Sequence, residues 1–302
     1  LLSGKERKRF NKESNTMTGI KDRGRGCLIG LAIGDALGTS VEFKERDTYD
    51  PVTRMRGGGA FNLQPGEWTD DTSMALALAR SIISYKGINQ VDILKNFSDW
   101  YNKGAFSHNN LCFDIGNTTR TAIDKFDKGG QIEPVCGSTH GLDSGNGGIM
   151  RLAPAPMIAK TRKQAVEYSV AQSITTHASP DCVDMAEYLG GVLWDIIDTG
   201  GTKVEDRWDV AEKYRAQISS SGYVVHTAEA AFWCVEKTES FKDAVLLAAN
   251  LGDDADTVAA VTGQIAGAFY GYSNIPKEWL EVLAWHDKIL KMADIIMDYR
   301  ST

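Results

Sequence analysis

Along most of the chain apolar residues recur every three or four positions, the spacing that lines one face of a helix. Met74, Leu78, Ile82 and Tyr85 form one such stripe, and Ile93, Phe97, Trp100 and Tyr101 a second. Val183, Ala186, Gly190, Leu193 and Ile197 form a third, and Val258, Val261, Ile265 and Phe269 a fourth. The segment from Val282 to Ile296 reads as one closing helix. There is no sustained alternation of Val, Ile or Thr of the kind a half-buried strand needs, so the pattern predicts an all-α globule of about a dozen helices. Glycines interrupt it in the clusters Gly57-Gly58-Gly59, Gly129-Gly130, Gly145-Asn146-Gly147-Gly148 and Gly190-Gly191, which predict loops or close approaches to a ligand.

Composition narrows the class. With 302 residues, 42% of them hydrophobic, the chain can bury a sizeable core, and no repeat or low-complexity linker divides it. No apolar run approaches the ~20 residues that cross a bilayer, so no membrane association is expected. The five cysteines are an odd, scattered set without a C-x-x-C pair, read as reduced thiols of a cytoplasmic protein. A net charge of −7 argues against a nucleic-acid partner. That charge is uneven: residues 1–23 carry +4 and residues 24–302 carry −11. Residues 1–23 are therefore expected to be a basic, flexible N-terminal arm, with residues 24–302 a single domain.

The chemistry lies in two short acidic stretches far apart in sequence. Thr69-Asp70-Asp71-Thr72 precedes the helix of Met74, and Asp253-Asp254-Ala255-Asp256-Thr257 precedes the helix of Val258. Either alone is explained by N-capping and by acids at the positive end of a helix dipole. If the two helix starts meet, Asp70, Asp71, Asp254 and Asp256 bring four negative charges together, which two divalent cations would balance. Carboxylate and hydroxyl oxygens without Cys or His favour Mg²⁺ or Mn²⁺ over Zn²⁺.

In this order the two stretches resemble the paired metal motifs of the ADP-ribosylglycohydrolase family, which includes the dinitrogenase reductase-activating glycohydrolases. Gly26-Cys27-Leu28-Ile29-Gly30 through Gly34-Asp35-Ala36-Leu37-Gly38, with Val41-Glu42-Phe43, is similar to that family's opening helix. Gly145-Asn146-Gly147-Gly148-Ile149-Met150-Arg151 is similar to its glycine-rich loop, and Asp114-Ile115-Gly116-Asn117-Thr118 and Thr176-His177 also match. The resemblance spans residues 24 to about 298. It implies a single orthogonal multi-helix domain with a binuclear Mg²⁺ or Mn²⁺ centre, hydrolysing the bond between ADP-ribose C1″ and a modified side chain.

Residue by residue, the resemblance implies Thr69, Asp70, Asp71, Asp254, Asp256 and Thr257 as metal ligands, with Asp70, Asp71, Asp114 and Asp256 carrying the catalysis. It implies substrate contacts from Glu42, Asp114, Ser144, Gly145, Asn146, Gly147 and His177, the loop N–H groups suiting a pyrophosphate. Alternatives remain for several of these. Asp114 could instead cap a helix from Ile115, Glu42 could lie on a solvated face, His177 could simply be packed, and Asp35 is either a helper of the centre or a buried helix partner. The expected substrate is an ADP-ribosylated protein, with arginine the preferred linkage and serine open. The competing reading is an immunity protein that blocks a cognate ADP-ribosyltransferase toxin by placing the basic arm in its active site. A catalytically dead descendant is disfavoured by the intact Asp and Thr set.

Overall fold

The computed structural model describes residues 17–201 and 207–302. Among these are twelve α-helices: α1 Met17–Gly38, α2 Asp70–Tyr85, α3 Gln90–Lys103, α4 Asn117–Lys128, α5 Pro154–Ile158, α6 Arg162–Ser173, α7 Pro180–Thr199, α8 Val224–Glu236, α9 Phe241–Ala249, α10 Ala255–Tyr270, α11 Lys277–Val282 and α12 His286–Ser301. Short 3₁₀ turns link some of them, and the only β pairing among the described residues is three isolated bridges.

Helices α1 and α10 form the centre, in the most extensive helix–helix contact of the fold. Their closeness is written in small residues. Gly26, Gly30, Gly34 and Gly38 recur every four positions on α1 and face Gly267, Gly263, Ala259 and Ala255 of α10. A β-carbon on Gly30 or Gly34 would lie 2.2 or 2.0 Å from the carbonyl oxygen of Gly263 or Ala259. Real side chains do not fit there, so the backbones pack directly and both helices are buried on almost every side. This seam fixes Asp35, near the end of α1, relative to the start of α10.

The predicted stripes become buried helix faces in α2, α3, α7 and α10, although Tyr85 at the end of α2 is exposed. Three expectations are corrected. Residues 17–23 are not arm: they are the first turns of α1, with Arg23 buried and its Nε donating to the Ile197 carbonyl at 2.8 Å. The rest of the expected arm, residues 1–16, lies outside the described residues. The closing helix is broken between α11 and α12, where Trp285 takes a left-handed conformation (φ 59°) and the Ala284 N–H donates to Gly66. Gly190-Gly191 is neither loop nor ligand contact. It lies within α7, where the missing side chain of Gly190 admits Ser169 of α6.

Candidate metal centre and substrate pocket

The start of α2 is held from outside. Thr69 is its N-cap residue, yet its side chain makes no capping bond. Asp35 of α1 does that work: Oδ1 accepts from the Thr69 N–H (2.9 Å) and hydroxyl (3.0 Å), and Oδ2 from the Thr72 N–H (3.0 Å) and hydroxyl (2.6 Å). Two of the orphan N–H groups of the helix start are thereby satisfied. The buried Asp35 is a helix partner, and its four donors explain how a carboxylate survives at 0% exposure.

With α2 so placed, its first turn meets the first turn of α10. The Thr69 hydroxyl lies 3.2 Å from Asp256 Oδ2, and the Thr257 hydroxyl donates to Asp71 Oδ1 at 3.3 Å. Oxygens of three carboxylate groupings converge within 4.8 Å: Asp35, Asp71 and Asp256; Glu42, Asp254 and Asp256; Asp70, Asp114 and Asp256. Asp256 belongs to all three. Asp71 Oδ2, Asp256 Oδ1 and Glu42 Oε2 are buried without any hydrogen-bond partner, a costly arrangement for carboxylates unless a cation completes it. The oxygen-only donor set fits a hard divalent ion.

The electrostatics agree. Burial first, and neighbouring carboxylates second, hold Asp70, Asp71 and Asp256 well above the usual carboxylate range. Burial also raises Asp254, against the pull of the Asn146 amide. It pushes Asp35 up to about 6, opposed by its four donors, and Asp114 up to about 7. Glu42 goes highest, to about 10, through burial and then the charges of Asp114, Asp254 and Asp35. Without a cation the centre therefore keeps protons that a cation would replace.

The cluster opens into a cavity of about 360 Å³. Glu42, Phe43, Asp114, Gly145, Asn146, Gly147 and His177 line it together with Asp70, Asp254, Asp256 and Thr257. Glu42 is 3% exposed, so it is not on a solvated face. Asp114 does not cap a helix: α4 begins at Asn117 after Gly116, and Asp114 sits at φ 60° on the cavity wall. Two loop expectations need refinement. The Asn146 N–H is taken by the Gly222 carbonyl (3.1 Å), and its amide donates to Asp254 Oδ2 (2.5 Å) and Thr227 Oγ1 (2.9 Å). Ser144 lies off the acidic cavity in an adjoining cleft beside Tyr223, its hydroxyl engaged with Gly141 and Ser179.

A family model described as ADP-ribosylglycohydrolase matches residues 16–302. The chain belongs to the ADP-ribosylglycohydrolase family. Among its relatives, ADP-ribosylarginine hydrolase Tri1 of Serratia proteamaculans is 45% identical over 289 residues, covering 90% of this chain and 78% of the relative. The ADP-ribosyl-[dinitrogen reductase] glycohydrolase of Rhodospirillum rubrum is 34% identical over 285 residues, covering 88% and 92%. A solved structure titled ADP-ribosylglycohydrolase-related protein complex superposes with a TM-score of 0.80 at 32% identity, covering 93% of this chain and 99% of that one. The chain is thus a metal-dependent glycohydrolase that removes ADP-ribose by hydrolysis, and the competing reading as an occluding immunity protein is not favoured.

Sequence reasoning missed several residues that build this glycohydrolase's site. His108 places its ring against Trp68 (centroids 5.0 Å apart), with Nε2 3.0 Å from the Trp68 carbonyl and Nδ1 3.4 Å from Glu67. It anchors the residue just before Thr69. Arg46 donates to the carbonyls of Leu251, Arg215 and Ile218, fixing the approach to α10. Asp253, part of the second acidic stretch and expected to support the centre from behind its ligands, accepts from Ser220 with its carboxylate, while its backbone pairs with Phe43 and Lys44. No local spacing marks any of these, because each acts across the fold.

Proposed function

We propose that the enzyme hydrolyses ADP-ribosyl-arginine on proteins, using two Mg²⁺ or Mn²⁺ ions held by Thr69, Asp70, Asp71, Asp254, Asp256 and Thr257. The observation that carries this reading is the meeting of two helix starts around buried carboxylate oxygens that have no partner in the protein. Bound cations would supply the charge that balances these carboxylates, orientation of the ribose hydroxyls and a water acidified enough to attack. The chain's own residues do the rest. Asp35 keeps Thr69 and Thr72 in place, and Asn146 aims Asp254.

Carboxylates around the anomeric carbon favour the positive charge that builds as the C1″–N bond lengthens. Water adds its oxygen to C1″, and the displaced guanidine nitrogen takes up the proton. Glu42 and Asp114 line the same cavity beside these ligands, and either carboxyl would stand at the guanidine side of the scissile bond, able to hold or return that proton. An acidic wall suits a cationic guanidinium better than a seryl oxygen, and the name of the Serratia relative supports the same linkage.

Five unpaired cysteines support a reducing, cytoplasmic setting, and no helix of the described residues is long and apolar enough to cross a membrane. The test is incubation with arginine- and serine-ADP-ribosylated proteins with Mg²⁺, Mn²⁺ or chelator. Release of ADP-ribose from arginine, lost on chelation, is expected. Release from serine alone, or undiminished release under chelation, would overturn the assignment.

A further inference from the structure

Behind the cavity lies a charge that the reaction does not use. Arg151 is fully buried and makes no ion pair among the described residues. Its guanidinium sits over the Phe97 ring, 4.5 Å from the centroid, and donates to Gln172 Oε1 (3.1 Å), the Gln172 carbonyl (3.3 Å) and Thr176 Oγ1 (2.7 Å). Thr176 Oγ1 in turn lies 2.8 Å from His177 Nδ1. A guanidinium only donates, so the Thr176 oxygen accepts from Arg151 and keeps its own proton to give. The one acceptor in reach among the described residues is His177 Nδ1. The reverse arrangement, with Nδ1–H donating to Thr176, would leave the threonine proton buried without an acceptor.

With Nδ1 accepting, the ring proton must be on Nε2. That nitrogen has no partner among the described residues, and His177, 3% exposed, lines the cavity beside the glycine-rich loop. A β-carbon on Gly147 would lie 2.4 Å from Cε1 and 2.9 Å from Nε2, and one on Gly145 3.3 Å from Nε2, so glycine at both positions lets the loop backbone pack against the ring.

We propose that Arg151, acting through the Thr176 hydroxyl, fixes His177 as the neutral Nε2–H tautomer and so presents a rigid N–H donor to a phosphoryl oxygen of the ligand at the Gly145–Gly147 loop. The identity of the ligand rests on the ADP-ribose reading, whereas the relay is a property of the free protein. Arg151 and Thr176 are positioning residues. Arg151, whose charge is felt by Asp70, places a buried cation behind this end of a cavity whose other charged lining is carboxylate, so an anion is better tolerated here than elsewhere in it. Burial, and after it the charge of Arg151, pushes His177 down to about 3, so the ring stays a neutral donor. Gly145 and Gly147 lie against the ring, Ser138 and Ser173 meet only the His177 backbone, and the charged groups that share its cavity are Glu42, Asp70, Asp114, Asp254 and Asp256.

Long-range ¹H–¹⁵N NMR of the full chain, with the His177 signals assigned by their loss in His177→Asn, reads the tautomer directly. Nε2 protonated and Nδ1 bare from roughly pH 5 to 8 is expected, where an unperturbed histidine titrates. In Thr176→Val, which keeps the shape and removes the hydroxyl, the ring should lose its fixed tautomer and calorimetric affinity for ADP-ribose should fall about tenfold. Thr176→Ser should restore both. A proton on Nδ1 in the wild-type protein, a Thr176→Val protein with unchanged tautomer and affinity, or a folded Thr176→Ser protein that behaves like Thr176→Val would each overturn the relay. Should Thr176→Val not fold, the wild-type tautomer and Thr176→Ser decide. Wild-type protein that does not bind ADP-ribose would overturn the ligand reading and the phosphoryl target, while the tautomer still judges the relay.

Discussion

The two acidic helix starts look alike in sequence and are built differently. At α2 both oxygens of Asp35 reach in from α1 and bind the backbone and hydroxyls of Thr69 and Thr72. At α10 the N-cap residue Asp254 makes no capping bond, its carboxylate is drawn to Asn146, and Asp256 keeps one buried oxygen with no partner. The backbone of the α2 start is framed by the protein and that of the α10 start is not, while each keeps one buried carboxylate oxygen, Asp71 Oδ2 and Asp256 Oδ1, without a partner. Helix capping accounts for neither set of carboxylates, since the caps come from elsewhere or are missing. What remains is one helix start whose backbone the protein itself holds and one whose backbone it leaves uncapped, with unpartnered carboxylate oxygens on both.

Breaking the uncapped start should have the largest effect on activity. Asp256 joins all three carboxylate groupings, so Asp256→Ala should lower ADP-ribose release by about a thousandfold or more, the equivalent of several kcal/mol of lost charge stabilisation. The cation-free variant should melt no lower than wild type, because a buried carboxyl with an unpartnered oxygen has gone from a crowded acidic cluster. Hydrolysis within a few-fold of wild type at limiting cation would show that the centre lies elsewhere.

Breaking the frame should instead cost stability. Asp35→Ala strands two N–H groups and two hydroxyls in the interior, a loss of about 3 kcal/mol or more even after the hydroxyls find other acceptors. Urea denaturation of the cation-free protein measures it. A variant as stable as wild type would mean that the start of α2 is held by something other than Asp35.

The smallest effect sharpens the contrast through pH. Asp35 and Asp114, raised to about 6 and about 7, bind protons more tightly folded than unfolded. Their contribution is therefore full below the ordinary carboxylate range of about 4 and is lost as pH rises through 6 and 7. Cation-free protein should lose thermal stability between about pH 4 and 7, and saturating Mg²⁺ or Mn²⁺ should flatten or reverse the slope, because cations stabilise the deprotonated centre. A cation-free protein that gains stability over this range would contradict the raised values.

Much of this was legible in the chain. The stripes of α2, α3, α7 and α10 follow from helical periodicity, and the acidic stretches announced themselves by charge density at helix starts. The break before α12 was not legible, since it depends on Gly66 accepting from Ala284 and on Trp285 packing edge-on to Trp68, 5.6 Å between centroids. Nor was the assignment of residues 17–23: their basic composition suggests a solvated arm, yet Arg23 reaches carbonyls at the end of α7 and Lys21 pairs with Asp298.

By itself the sequence determined the helix faces, the all-oxygen donor set and the four-residue glycine spacing of α1, because periodicity and ligand type are local properties of the chain. Tertiary structure decided which donors stand against which acceptors. The glycine seam brings Asp35 to the start of α2 and sets α10 beside it, leaving Asp71 Oδ2 and Asp256 Oδ1 without partners. Packing elsewhere brings Arg151 within hydrogen-bond reach of Thr176, beside His177. These outcomes depend on hydrogen-bond satisfaction among residues tens to hundreds of positions apart, and pairing at that range is fixed only when the helices pack.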